Sequence, residues 1–364
     1  MYKVTHNADL TRLTTFGITA GCGCLVEYES LEDLRLLAEE QPGLIQGEVF
    51  NLGGGSNVLF LDGWYAGTVL HCVGEDVSEL APEAISDTGE VFVGLRVQAG
   101  AKLDNLVDYS THRGLWGLEN LAAIPGCVGG AAVQNVGAYG AEFARCVTKV
   151  RAFDIDTRHP VELSVGQCEY GYRHSFFKTA AAARLAICEV EVRLSAKAAP
   201  RLGYSGIREA LGDVTDDAAT PALIAAAVRE VRSAKLPDPA EVGSAGSYFK
   251  NPVVEAPYFR KVEDVWRAFC GRCGTAYVPV QHHTTDDGRV KLSAAWLIDK
   301  AGCKPFSVGG ASLWPAQPLV IVNRDGHATA ADILSLQNRV QDRVEEAFAI
   351  RLEPEVVRLS AAMR

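Results

Sequence analysis

This 364-residue chain has no apolar run approaching the roughly 20 residues that span a bilayer. Its first ten residues, Met1 to Leu10, lack the continuous apolar core of a secretory signal. The expectation is therefore a cytoplasmic protein with no membrane role. Surplus positive charge is missing too: 35 Lys and Arg stand against 45 Asp and Glu, a formal net charge of -10 with a pI near 5.4. That balance argues against general nucleic-acid or membrane-surface binding, and an anionic small ligand would need locally clustered Lys and Arg. Two common nucleotide signatures are absent. No Gly-x-Gly-x-x-Gly joins a strand to a helix, and no Gly-Lys-Ser/Thr closes a phosphate loop. No internal repeat is visible, and low complexity is confined to Thr179-Ala-Ala-Ala-Ala183. Ten cysteines without an export signal read as reduced thiols. Cys270-Gly-Arg-Cys273 has zinc-ligand spacing and His282-His283 follows. No second Cys pair lies nearby, so zinc is the lesser reading and no metal is expected.

What the chain does have is a folded composition, 48% hydrophobic and 22% charged, and enough length for two or three lobes. It also has glycine in an unusual place. From Asn120 to Gly140 the sequence carries Gly126, Gly129, Gly130, Gly137 and Gly140. That density predicts a loop, because each glycine inside a helix or strand costs about 0.5–1 kcal/mol relative to alanine. Bared backbone amides there can cradle an anion; a glycine-rich turn in a β-domain is the plainer alternative. A second stretch, Asn51-Leu-Gly-Gly-Gly-Ser-Asn57, weighs toward the cradle. Two such loops in one chain suit one extended, phosphate-bearing ligand.

The remaining pattern is of mixed helix and strand. Ser30-Leu-Glu-Asp33 opens a helix ending near Pro42-Gly43, Thr220-Pro221 opens one ending near Lys235, and Thr329-Ala-Ala-Asp332 opens the last long one. Alternation from Val91 to Ala99 predicts a half-buried strand, and further strands are expected near 147–155 and 185–194. Val49–Leu52 and Val58–Leu61 read as strands entering and leaving the triple glycine. Leu13–Val26 shows little periodicity. Leu236-Pro-Asp-Pro239 reads as an extended connector and a domain boundary.

Several separated motifs, in order, resemble the UDP-N-acetylenolpyruvoylglucosamine reductase (MurB) family along almost the full length. They are Thr14-Thr-Phe-Gly17, Asn51 to Phe60, Ile124 to Gly140, Tyr170-Gly-Tyr-Arg-His-Ser-Phe-Phe-Lys178, Lys235-Leu-Pro-Asp-Pro239, Gly243 to Pro252 and Leu352-Glu-Pro-Glu355. The resemblance implies an α+β, FAD-binding PCMH-type fold like that of vanillyl-alcohol oxidase, with two flavin subdomains and a C-terminal α+β substrate domain. The expected boundaries are 1–72, with the tail 356–364 returning to it, then 73–235, then 236–355. It also implies that NADPH reduces non-covalently bound FAD, and that the flavin reduces UDP-N-acetylglucosamine enolpyruvate to UDP-N-acetylmuramate. That reaction belongs to peptidoglycan precursor synthesis, hence to cell-wall biogenesis, cell shape and division. A monomer is the expected state.

Carried over residue by residue, the resemblance assigns catalysis to Arg173, Ser247 and Glu355. It assigns flavin contacts to Gly53, Gly54, Gly55, Ser56 and Asn57, and to Pro125, Gly126, Gln134, Asn135, Gly137 and Tyr139. Substrate contacts fall on Lys235, Asn251, Lys304, Gln317 and Tyr204, the last in an insertion like the tyrosine-bearing loop of one subclass. Cys127 stands where threonine is common. Choosing Glu355 over Glu353 rests on the resemblance alone. The same fold also hosts FAD-dependent oxidases of sugar lactones or alcohols, many with FAD tethered to histidine, yet neither glycine loop here contains one. A non-catalytic nucleotide-sugar sensor is the third reading, and the three candidate catalytic residues together weigh against it.

Overall fold

The structure is a computed structural model and describes residues 1–81, 83–84 and 90–360. The chain divides into two units. The first holds Met1–Asp9, Gly21–Gly55 and Tyr65–Ala234; the second holds Leu10–Ala20, Ser56–Trp64 and Lys235–Arg364. Two short pieces of the N-terminal 72 residues thus belong with the C-terminal part.

Two sheets organise the first unit. In one, the strands run in the order Lys3–Asp9, Gly21–Tyr28, Trp64–Cys72, Val49–Leu52, the last pair parallel. In the other the order is His159–Ser164, Val147–Asp154, Leu185–Ser195, Val91–Gln98, Val77–Glu79, with Glu83–Ala84 also on Val91–Gln98. Alternation explains the second sheet: Leu95 and Val97 on one strand, and Val190, Val192 and Leu194 on its neighbour, point into one core and are fully buried. The opposite face carries a ladder of charge, in which Arg151 meets Glu162 at 2.7 Å and Glu189 at 3.2 Å and Arg96 meets Glu191 at 3.0 Å. Helices Leu31–Glu40 and Pro221–Ser233 begin where their caps predict. Ser30 Oγ accepts from Asp33 N at 3.3 Å while the Asp33 carboxylate accepts from Glu29 N at 3.0 Å, and Thr220 Oγ1 accepts from Leu223 N at 3.2 Å.

The second unit has its own core. Gly243–Ser247, Gln317–Asn323, Ala311–Trp314 and Ser307–Val308 form a four-stranded sheet, and Val253–Val254, Val290–Leu292 and His282–Thr284 a three-stranded one. Helices Ala256–Cys273, Ala294–Lys300 and Ala330–Phe348 pack with them. The last helix opens on a reciprocal cap, Asp332 N to Thr329 Oγ1 at 3.1 Å and Thr329 N to Asp332 Oδ2 at 2.9 Å. Aromatic rings fill the helix contact: Trp266 stacks on Phe348 at 4.6 Å and on Phe269 at 5.7 Å, and its indole N–H donates to Val278 O at 2.8 Å.

Two expectations need correction. The little-patterned stretch before Val26 contains a strand, Gly21–Tyr28. It is buried on both faces, so no polar–apolar alternation marks it. The strands expected on either side of the triple glycine are both present, Val49–Leu52 parallel to Trp64–Cys72 and Val58–Phe60 parallel to Val357–Leu359. The glycine stretch is not all loop either: Val128–Gln134 is helical, with Gly129 and Gly130 in its first turn. Gly129 accepts the propensity cost because a Cβ there would come within 2.9 Å of Ala99 Cβ.

Trp266 is the keystone of the second core, only 2% exposed. Trp266→Ala should destabilise the second unit by about 3–5 kcal/mol in chemical denaturation. A loss below about 1 kcal/mol would show that the aromatic stack is not what holds these helices.

Candidate active site

In the first unit the two glycine stretches meet backbone against backbone. A Cβ on Gly54 would lie 2.7 Å from Gly126 Cα, and one on Gly53 would lie 3.0 Å from Cys127 Sγ. No side chain fits between them. Cys127 caps helix Val128–Gln134, its sulfur accepting from Gly130 N at 3.4 Å while lying against Gly53 of the other loop. One buried sulfur therefore packs against both loops. Burial pushes this thiol's pKa up, so it stays neutral and is a poor nucleophile. The helix closes at Asn135, which takes the left-handed conformation, φ 43°. Its buried side chain is spent on architecture: Nδ2 donates to Gly171 O at 2.8 Å, and Oδ1 accepts from Ala144 N at 3.0 Å. Those two bonds bring the Tyr170–Lys178 motif to the helix end.

Arg173 stands in that motif with φ 52°, strained for a residue with a Cβ and worth about 1–3 kcal/mol. A reciprocal pair of backbone bonds between Gly171 and His174, 3.0 and 3.1 Å, holds the turn. The guanidinium donates to Gly137 O at 2.8 Å and lies over the Tyr172 ring at 5.3 Å. Lys178 donates to Gln134 Oε1 at 2.8 Å and to Arg173 O at 3.0 Å. Gln134, Asn135, Gly137 and Arg173 are thus brought together. Near Tyr139, the half-buried Arg232 guanidinium donates through Nε to Ala123 O at 3.2 Å. Burial pushes the Tyr139 phenol up and pulls Arg232 down. Tyr204 is 53% exposed and meets the Tyr139 ring edge-on at 5.7 Å. Pro125 is exposed beside Gly126.

The chain leaves the first unit between Gly55 and Ser56, inside the first glycine loop. In the second unit, Ser247 ends the strand Gly243–Ser247, paired with Val320 and exposed. The chain continues alongside Glu353–Glu355. Lys250 N donates to Glu353 O at 2.9 Å and Glu355 N donates to Tyr248 O at 2.8 Å. Asn57 joins from the other side, Nδ2 donating to Glu355 O at 3.2 Å and its carbonyl accepting from Val357 N at 3.0 Å. Ser247, Glu355 and Asn57 therefore share one patch. Tyr248 pins it from behind: fully buried, its ring packs on Phe249 at 5.1 Å and its hydroxyl donates to Gln337 Oε1 at 2.9 Å. Glu353, the competing carboxylate, pairs with Lys250 at 2.5 Å. Glu355 precedes the strand Val357–Leu359 instead of lying within a strand.

Other expected residues are placed separately. Asn251 Oδ1 accepts from Ala294 N at 2.9 Å at the start of helix Ala294–Lys300, and Lys304 pairs with Asp299 of the same helix at 2.7 Å. Trp314 links two more: its indole donates to Lys235 O at 3.1 Å, and it faces Gln317 across the strand pair. Lys178, Arg232 and Trp314 were not singled out from sequence. Lys178 was visible as the last residue of a quoted motif, whereas nothing local marks Arg232 or Trp314. Cys270 is buried and Cys273 exposed, and among the described residues no group of three or more His, Cys, Asp or Glu could hold a metal ion.

Comparison with known proteins matches these two regions. The family model described as an FAD binding domain matches residues 46–159, and that described as UDP-N-acetylenolpyruvoylglucosamine reductase, C-terminal domain, matches residues 238–359. The chain is 36% identical over 352 residues to the UDP-N-acetylenolpyruvoylglucosamine reductase of Shewanella sp. (strain MR-4), covering 95% of this chain and 94% of that one. It is 34% identical over 356 residues to that of Neisseria meningitidis serogroup C (strain 053442), covering 98% and 97%. The crystal structure of the Thermus caldophilus enzyme shares the fold, with a TM-score of 0.63 at 23% identity over 99% of both chains.

Glycine is required at Gly54 because the Gly126–Cys127 backbone already occupies the space a Cβ would take. Gly54→Ala should weaken FAD binding by about tenfold or more, read by flavin fluorescence titration. Wild-type affinity in that variant would show that the loops do not hold the flavin.

Proposed function

The chain belongs to the UDP-N-acetylenolpyruvoylglucosamine reductase family, and from that premise we propose that it catalyses the NADPH-dependent reduction of UDP-N-acetylglucosamine enolpyruvate to UDP-N-acetylmuramate, with FAD as cofactor, in peptidoglycan precursor synthesis. What carries this reading is the patch in the second unit where Ser247 and Glu355 stand on neighbouring, rigidly pinned segments. The relatives' reductase names, over nearly the whole chain, set aside the oxidase and sensor alternatives.

Gly53, Gly54, Gly55, Ser56, Asn57, Pro125, Gly126, Gln134, Asn135, Gly137 and Tyr139 would hold FAD, which when bound would supply hydride transfer from NADPH to the enolpyruvyl carbon. The protein's own residues manage the charge and the proton. Hydride addition leaves negative charge on the neighbouring carbon and its carboxylate. Arg173 answers it with a guanidinium that is always charged and forks onto a carboxylate. Its turn is stiffened by Gly171, His174 and Lys178, so little reorganisation is needed. Ser247 Oγ gives the proton to carbon. Serine is a weak acid, but an aci-carboxylate is a strong carbon base, and Ser247 is exposed at a strand end where it can reach a ligand. Glu355 orients or polarises the reacting group. Its backbone is held by Tyr248 and Asn57. Lys235, Asn251, Lys304, Gln317 and Tyr204 hold the nucleotide sugar, the two lysines supplying the local positive charge that the acidic chain otherwise lacks. Lys304 would exchange its Asp299 partner for a phosphate or carboxylate oxygen.

Among the described residues no helix is long and apolar enough to cross a membrane. We take the working form to be a cytoplasmic monomer, where NADPH and nucleotide sugars are available. Ser247→Ala should slow flavin reoxidation by the enolpyruvyl substrate about 10²–10⁴-fold in stopped flow, while NADPH still reduces the flavin. Unchanged reoxidation would remove Ser247 from the mechanism.

A further inference from the structure

Asn120 opens the long glycine stretch, and at 1% exposure it is one of the most buried polar residues of the first unit. It sits in a single turn of 3-10 helix, Glu119–Leu121. Its side-chain nitrogen carries two hydrogens and donates to two carbonyls, those of Tyr139 and Arg201, each at 3.0 Å. These belong to segments far apart in sequence. Tyr139 lies near the end of the Asn120–Gly140 stretch; Arg201 lies in the insertion that bears Tyr204. The same two segments also meet through their rings, Tyr204 against Tyr139, and Gly140 lies so close that an added Cβ would be 3.6 Å from Tyr204 Cε2. The neighbouring Glu119 carboxylate is buried in the same turn and accepts from Gly117 N at 2.6 Å.

This joint is not built for stability. Asn120 Oδ1 and Arg201 Nη1 are both buried without a hydrogen-bond partner. Unsatisfied buried polar groups are costly, and apolar residues of the same shape would avoid that cost. What the polar pair provides instead is a fixed register between two loops, with one amide group holding both carbonyls.

We propose that Asn120 is a positioning residue: it tethers the Tyr204-bearing loop to the backbone at Tyr139 and thereby sets the affinity for the nucleotide sugar. The inference rests on the reading above in which Tyr204 holds that substrate. Asn120 touches neither flavin nor substrate; it acts through the loop.

Two measurements on the full chain test it. In brief tryptic digestion without ligand, Asn120→Leu should raise cleavage after Arg201 at least about fivefold relative to cleavage after the exposed Lys197, since a freed carbonyl frees the loop. In steady-state assays the same change should raise KM for the nucleotide sugar about tenfold, with flavin reduction by NADPH within about twofold of wild type. In a Tyr204→Ala background, the added effect of Asn120→Leu on KM should shrink to less than about twofold. If Asn120→Leu does not accumulate as folded protein, Asn120→Ser, too short to reach both carbonyls, carries the same comparison. Unchanged cleavage after Arg201 overturns the tether. KM effects that simply multiply overturn its action through Tyr204. Faster cleavage in Asn120→Leu, with KM unaltered in Tyr204→Ala, supports the tether and instead removes Tyr204 from substrate binding.

Discussion

The closeness of two glycine loops, packed together beside the buried sulfur of Cys127, is the constraint on which the first unit depends. Backbone approaches backbone at Gly54 and Gly126, and a side chain at Gly54 would force the loops apart. From that contact the rest follows in order. The second loop runs into helix Val128–Gln134, the helix ends on Asn135, and Asn135 reaches the Gly171 turn that aims Arg173. A displacement of the loops would be passed along this chain of hydrogen bonds to the guanidinium.

The second unit depends on burial instead. Tyr248 has no exposed surface, and its hydroxyl is hydrogen-bonded to Gln337 on the long C-terminal helix. The backbone on either side of its ring holds Ser247 and Glu355. In the proposed mechanism a serine in such a place need not be an unusual acid. It needs to be held still, and a strand end backed by aromatic packing does this at little cost in entropy. Arg173 by contrast is held in a strained conformation, as is common where a side chain must be aimed and not merely packed.

Much of this was legible in the sequence, for identifiable reasons. Helix starts were readable because capping is local: Ser30, Thr220 and Thr329 each bond an amide three residues on. The strand at Val91–Gln98 was readable because one face meets solvent. Gly21–Tyr28 was not, because burial on both faces erases the alternation. The helix inside the glycine stretch was hidden because propensity argues against it, and only packing on Ala99 explains Gly129. Family membership and the identity of the motifs could be read from order and spacing. Arg232 bonded to Ala123, Trp314 beside Lys235 and the double donation of Asn120 could not, since each joins residues with no local relation.

The account's central claim is that the glycine loops hold a flavin that passes electrons from NADPH to an enolpyruvyl nucleotide sugar. The most direct measurement is the visible absorption spectrum of the purified protein, taken first alone, then with NADPH, then after adding UDP-N-acetylglucosamine enolpyruvate. The account predicts a yellow protein that bleaches with NADPH and turns yellow again with the substrate in the absence of oxygen. A colourless protein that FAD does not reconstitute, or a bleached one that the substrate leaves bleached, would contradict it.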